Sequence, residues 1–183
     1  MRISDGKNSL YDGLVALPWR PSYLAAMWIL GGELQSLYEP WISDEVPLMA
    51  STLDLVREVA ITGESPQAAA RAWELADSWD PVIDAQNDEA PAGLGNVFSV
   101  FQSLALEIAE PGVHYDAANW VGNAAENRWR DRNDPGPLDG QADDSSPMAQ
   151  TFILFLRIVS AVAAHKGPET DPVRIREQIL GPR

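Results

Sequence analysis

The chain has 183 residues, 27 of them Asp or Glu against 13 Lys or Arg, which gives a net charge of −14, and it has no cysteine. This charge argues against binding to nucleic acid, whose phosphates attract clustered positive charge, and it favours a basic protein partner. The lack of cysteine excludes disulfides, thiol nucleophiles and thiolate metal sites. The length suits one helical domain over 1–183, which is large enough to fold without such cross-links.

The first sixty residues show apolar side chains at helical spacing. We predict a first helix around Leu10 to Leu17, a second over 22–38 and a third from Asp44 to Gly63. The N-terminus carries Asp5 and Asp12 and lacks the uninterrupted apolar core of a secretory signal. We therefore expect a cytoplasmic protein.

Ser65 followed by Pro66 strongly indicates the start of a helix. The serine hydroxyl can accept a hydrogen bond from a free backbone N–H, and proline has no backbone N–H that would be left without a partner in the first turn. The helix PQAAARAWELADSW that follows is expected to end at Asp80 and Pro81. Its inward-facing residues are predicted to be Ala69, Ala72, Trp73 and Ala76.

Carboxylates spaced three or four residues apart follow the same segment, and they form one continuous row if the helix passes Pro81. We call this row the acidic ridge: Glu74, Asp77, Asp80, Asp84 and Asp88. Such a row is ordinarily the solvated outer face of a helix, but it can also bind a basic partner. Trp79 beside it, like Trp41 and Trp129 near other helix ends, either covers the core or anchors an interface.

Residues 94–108 show the cleanest helical periodicity in the chain, and Tyr115 to Arg130 form a more polar, peripheral helix. Residues 131–146 hold several aspartates, prolines and glycines with one aliphatic side chain. Such a composition cannot support a core, so we expect a mobile acidic loop there.

The stretch 147–166 is apolar nearly all round a helix and starts at Ser146 and Pro147. That pattern is typical of a buried helix, and the stretch falls short of the roughly 20 apolar residues that cross a bilayer, so no membrane association is expected. Asp171 and Pro172 begin a short last helix. The sequence thus predicts an all-α fold, a single irregular bundle of seven or eight helices around a buried helix near 147–166, with 94–110 as its partner.

The chain has few residues in patterns typical of catalysis or of metal and cofactor binding. The chain has two histidines, His114 and His165, and neither lies in a serine-centred motif, so no catalytic residue is predicted. No His-containing metal-ligand spacing and no glycine-rich phosphate motif occurs, so no metal site and no cofactor are predicted. The turn containing His114, Tyr115 and Asp116 is the alternative candidate site, since these side chains could perform acid–base chemistry.

In size, charge and helix layout the chain resembles the small bacterial immunity proteins that neutralise basic toxins, and also uncharacterised helical bacterial families. Stretches such as ELQSLYEPW at 33–41 and AAARAWELADSW at 68–79 share their character but form no motif, so the resemblance transfers no functional residue. Our leading hypothesis is a non-enzymatic protein-binding module of this immunity type. The alternatives are a small enzyme with a cleft near His114 and a structural subunit that buries aromatic residues in a homodimer.

Overall fold

The computed structural model describes residues 3–85, 93–111, 116–130 and 146–182. Within these ranges the chain forms eight α-helices and no strand, which confirms the predicted all-α bundle. A turn of π-helix, Trp19–Tyr23, precedes the second helix and a turn of 3₁₀-helix, Glu39–Trp41, follows it. The helices are α1 (Ile3–Val15), α2 (Leu24–Tyr38), α3 (Val46–Thr62), α4 (Pro66–Asp84), α5 (Leu94–Ala109), α6 (Ala117–Arg130), α7 (Pro147–Ala164) and α8 (Pro172–Leu180).

Several helix ends lie where the sequence predicts them. The hydroxyl of Ser65 accepts the N–H of Ala68 at 3.0 Å and starts α4, and the hydroxyl of Ser146 accepts the N–H of Ala149 at 3.2 Å and starts α7. Gly63 ends α3 with a positive φ of 98°, a conformation that glycine adopts without steric cost. Of the predicted acidic loop at 131–146, only Ser146 lies within the described residues.

The central helix is α2, which contacts α3, α5, α6, α7 and α8. Nine of its fifteen residues are buried. A β-carbon at Gly31 would lie 2.9 Å from Cδ2 of Leu53, so glycine at this position lets α3 approach closely. At the end of α2, the Tyr38 hydroxyl donates a 2.8 Å hydrogen bond to the carbonyl of Ala124 in α6.

α7 is an outer helix, so the prediction of a central helix at 147–166 is wrong. It packs on α1, α2, α6 and α8, whereas its predicted partner α5 packs mainly on α4 and α6. Ile153 is 42% exposed, and Arg157 and Ser160 on the same face are exposed too. Apolar residues are common on protein surfaces, so an apolar side chain such as Ile153 does not require the helix to be central. By length and composition α7 could also cross a membrane, a property that the core helices of soluble proteins share.

α4 continues through Pro81 to Asp84, so the predicted end at Asp80 and Pro81 is also wrong. Proline removes one helical hydrogen bond, the one to the carbonyl four residues earlier, which belongs to Asp77. Both residues are exposed, so water can satisfy that carbonyl. The N–H of Ala85 donates to the carbonyl of Pro81 at 3.0 Å, which shows that the helical pattern resumes.

An ion pair joins α3 to the start of α8. The Arg57 guanidinium donates from Nε to Oδ1 of Asp171 at 2.9 Å and from Nη2 to Oδ2 at 2.8 Å, and Asp171 also caps α8 by accepting the N–H of Val173 at 3.0 Å. The hydrogen bonds from Arg57 hold the pKa of Asp171 below its ordinary value, although partial burial opposes this shift. The carboxylate form of Asp171 is therefore favoured in the folded protein.

The two faces of α7 should respond differently to a charge. Phe155→Asp places an unpaired carboxylate in the core and should lower the free energy of unfolding by at least about 3 kcal/mol. Ile153→Asp puts the same side chain on the outer face and should change it by no more than about 0.5 kcal/mol. Urea unfolding of both variants measures this difference, and equal losses would contradict the orientation given for α7.

The ion pair predicts a pH-dependent contribution to stability. Because the folded-state pKa of Asp171 is lowered, the pair stabilises the fold above the unfolded aspartate pKa of about 3.9, and this contribution is lost as the pH falls through the folded-state value. Asp171→Asn keeps a capping oxygen but removes the charge. In urea unfolding it should be less stable than the parent near neutral pH, and the difference should shrink in acid. A difference that is independent of pH would contradict the assignment.

Candidate functional site

Trp79 is a core residue, which corrects its predicted place among the binding residues of the ridge. Its side chain is fully buried, and its indole N–H donates to the hydroxyl of Thr52 in α3 at 3.2 Å. The ring also lies against Phe98 and Phe101 of α5, with centroid distances of 5.5 and 5.6 Å. Of the two interpretations that the sequence left open for this tryptophan, the structure supports the one in which it covers the core.

Trp73 takes the opposite orientation to the one predicted from sequence. It is 41% exposed on the outer face of α4. The buried stripe of α4 consists of Ala68, Ala72, Ala76 and Trp79. It begins at Ala68 instead of the predicted Ala69, and it ends at Trp79 instead of Ala76. The alanines permit the close packing of α4 on α5, and Trp79 fills the space that remains beside the two phenylalanines.

Four members of the acidic ridge lie on this outer face. Glu74, Asp77, Asp80 and Asp84 are all exposed, and Asp88 lies outside the described residues. At 100° per residue, Trp73 points to the same side of the helix as the three aspartates, which follow it by four, seven and eleven positions. The ridge therefore runs about 16 Å along the helix with an indole ring at one end.

Little positive charge accompanies the ridge on α4. Arg71 is the only basic residue of the helix, and it pairs with Glu58 of α3 at 2.6 Å. Asp80 accepts a hydrogen bond from the side-chain amide of Gln102, a neutral partner. The surface thus keeps its negative charge next to an exposed aromatic ring.

A separate, concave feature lies between α1 and the start of α6. Two cavities, of about 300 and about 170 Å³, share the residues Tyr11 and Asp116. Lys7, Asn8 and Asn119 also line the first of them. We call the two cavities together the α1–α6 groove.

The floor of the groove holds a buried carboxylate. Glu107 of α5 is 1% exposed and accepts hydrogen bonds from the Tyr23 hydroxyl at 2.7 Å and from the backbone N–H of Ala117 at 3.3 Å. Burial, together with the negative charge of Glu107, raises the pKa of Tyr23, so its hydroxyl stays protonated as a hydrogen-bond donor. The indole of Trp19 stacks on the Tyr23 ring at a centroid distance of 5.3 Å.

The alternative site predicted from sequence is described only in part. His114 and Tyr115 lie outside the described residues, whereas Asp116 is exposed at the groove with a positive φ of 64°. Sequence reasoning did not identify Glu107 or Tyr23, because residues 84 positions apart meet only in the fold. Among the described residues, no group of three His, Asp or Glu side chains could hold a metal ion.

Trp41 and Trp129, the other two tryptophans near helix ends, both contact Arg128 of the same chain. The guanidinium carbon of Arg128 lies 4.5 Å from the ring centroid of Trp41 and 4.7 Å from that of Trp129. The Trp129 indole donates to Thr151 in α7 at 3.0 Å. These contacts stabilise one end of the bundle, so both rings have a structural role and cover the core there.

Comparison of the chain with protein-family models, with curated proteins and with solved structures finds no match.

Proposed function

We propose that this protein is a non-enzymatic binding module that holds a basic protein partner on the outer face of α4. The observation that carries the proposal is the exposed ring of Trp73 beside the exposed carboxylates of Glu74, Asp77, Asp80 and Asp84. Tryptophan is among the residues that most often dominate the energy of an interface, and exposed charges alone would add little.

The chemistry of the surface specifies a partner rich in arginine. A guanidinium group can stack on the Trp73 ring and donate hydrogen bonds to a neighbouring carboxylate, and both interactions favour arginine over a neutral side chain. The net charge of −14 would also attract a basic protein over a distance and accelerate association at low salt. A basic toxin domain, the partner of an immunity-type protein, has these properties.

The ridge can be tested separately from the overall charge. Changing Asp77, Asp80 and Asp84 to asparagine should leave the fold intact, because single exposed charges contribute little to stability and the carboxamide oxygen introduced by Asp80→Asn can still accept from Gln102. A triple change at Asp5, Asp12 and Asp54, also exposed and outside α4, removes the same charge and serves as the matched control. The probe is a synthetic arginine-rich helical peptide.

In stopped-flow binding, the ridge variant should associate more slowly than both the parent and the control, with a shallower dependence on salt. Trp73→Ala should instead raise the dissociation rate, by about tenfold if the ring contributes ~1.4 kcal/mol. Equal effects of the ridge and control changes would show that only the total charge matters, and this would reject the ridge as the binding surface.

A further inference from the structure

We infer that the α1–α6 groove binds a small organic cation, such as an alkylamine or an alkylguanidine, with its charged group beside Asp116 and the ring of Tyr11. This site is independent of the proposed function, because none of the four described residues of the acidic ridge lines either of its cavities. It would make the protein a binder of small molecules as well as of a basic protein.

The first argument is that several polar side chains line the groove without forming hydrogen bonds to one another. Asn8, Tyr11, Asp116 and Asn119 line it, and within the part of the chain that the structure describes none of their side chains forms a hydrogen bond or an ion pair. A few converging polar groups in a concave site are the usual means of orienting a small ligand.

The second argument is the charge of the lining. Lys7 is the one described cation on the groove, and its ammonium contacts Glu126 at 2.8 Å, a carboxylate that does not line either cavity. Asp116 and Glu107 both line the smaller cavity. A cationic ligand therefore meets a favourable field near Asp116, and an anion meets an unfavourable one.

The third argument is the aromatic wall. Tyr11 and Tyr23 line the smaller cavity, and tyrosine faces attract organic cations through the charge distribution of the ring. The volume of about 170 Å³ is several times the ~30 Å³ that one water molecule occupies in the liquid. An ammonium or guanidinium group fits there, and its alkyl chain can continue along the larger cavity.

The backbone at Asp116 supports this placement. A positive φ is uncommon for a residue other than glycine, although Asp and Asn tolerate it best, and such residues cluster at functional sites. Asparagine at this position should keep the same backbone while removing the charge. Asp116→Asn should therefore fold like the parent and change only the charge of the site.

The test uses butylguanidinium as the probe, with 1-butanol as its neutral counterpart and butyrate as an anion of similar length. We expect the cation to bind with a dissociation constant on the order of 1 mM and to shift the side-chain amide signals of Asn8 and Asn119 in nitrogen-15 NMR spectra. Neither 1-butanol nor butyrate should shift them at the same concentration. Asp116→Asn should weaken binding at least tenfold.

Asp12→Asn supplies the matched control, because it removes the same charge from an exposed residue next to Tyr11 that lines neither cavity. It should leave the affinity within about twofold of the parent, the range expected of distant surface charges. The triple ridge variant should also bind the probe normally, so failure of the ridge proposal leaves this one standing. Equal weakening by Asp12→Asn and Asp116→Asn, binding of 1-butanol, or no shift with any probe would each overturn the inference.

Discussion

The surface that α4 presents depends on how Trp79 is held in the core. Its indole N–H donates to Thr52 of α3 and its ring packs on Phe98 and Phe101 of α5, so α4 cannot rotate without losing contacts to two neighbouring helices. A buried tryptophan with a satisfied N–H is a strong constraint, because it combines a large apolar area with a directional hydrogen bond. Phe101 also lies against Gly31, which connects the cluster to the central helix.

The two acidic surfaces of the protein are organised differently. On α4 the carboxylates are exposed along one helix, and the exposed ring of Trp73 lies at one end of the row, an arrangement that suits a large basic partner. In the α1–α6 groove the carboxylate of Glu107 is buried and hydrogen-bonded to Tyr23 and Ala117. A buried carboxylate of this kind can shape the field of a small cavity, but a protein surface cannot reach it.

Sequence patterns predicted the helices well where the signals were local. Ser65, Ser146 and Asp171 form caps with their own backbone, and the strict spacing over 94–108 specified α5. The rotation of α4 was predicted wrongly, because Trp73 and Trp79 are both compatible with an alanine stripe and only α3 and α5 decide between them. For the same reason the apolar composition of α7 suggested a central helix. The contact between Tyr23 and Glu107 joins residues far apart in the chain, and no sequence pattern indicates it.

The most direct test of the account is hydroxyl-radical footprinting of the folded protein, with the oxidised residues identified by tandem mass spectrometry. The two tryptophans of α4 have the same intrinsic reactivity, so their relative rates report the orientation of the helix. If Trp79 holds α4 as described, Trp73 should be oxidised at least about tenfold faster than Trp79, because the ring of Trp73 is exposed and that of Trp79 is buried. Equal rates, or faster oxidation of Trp79, would contradict the orientation of the ridge and with it the proposed binding surface.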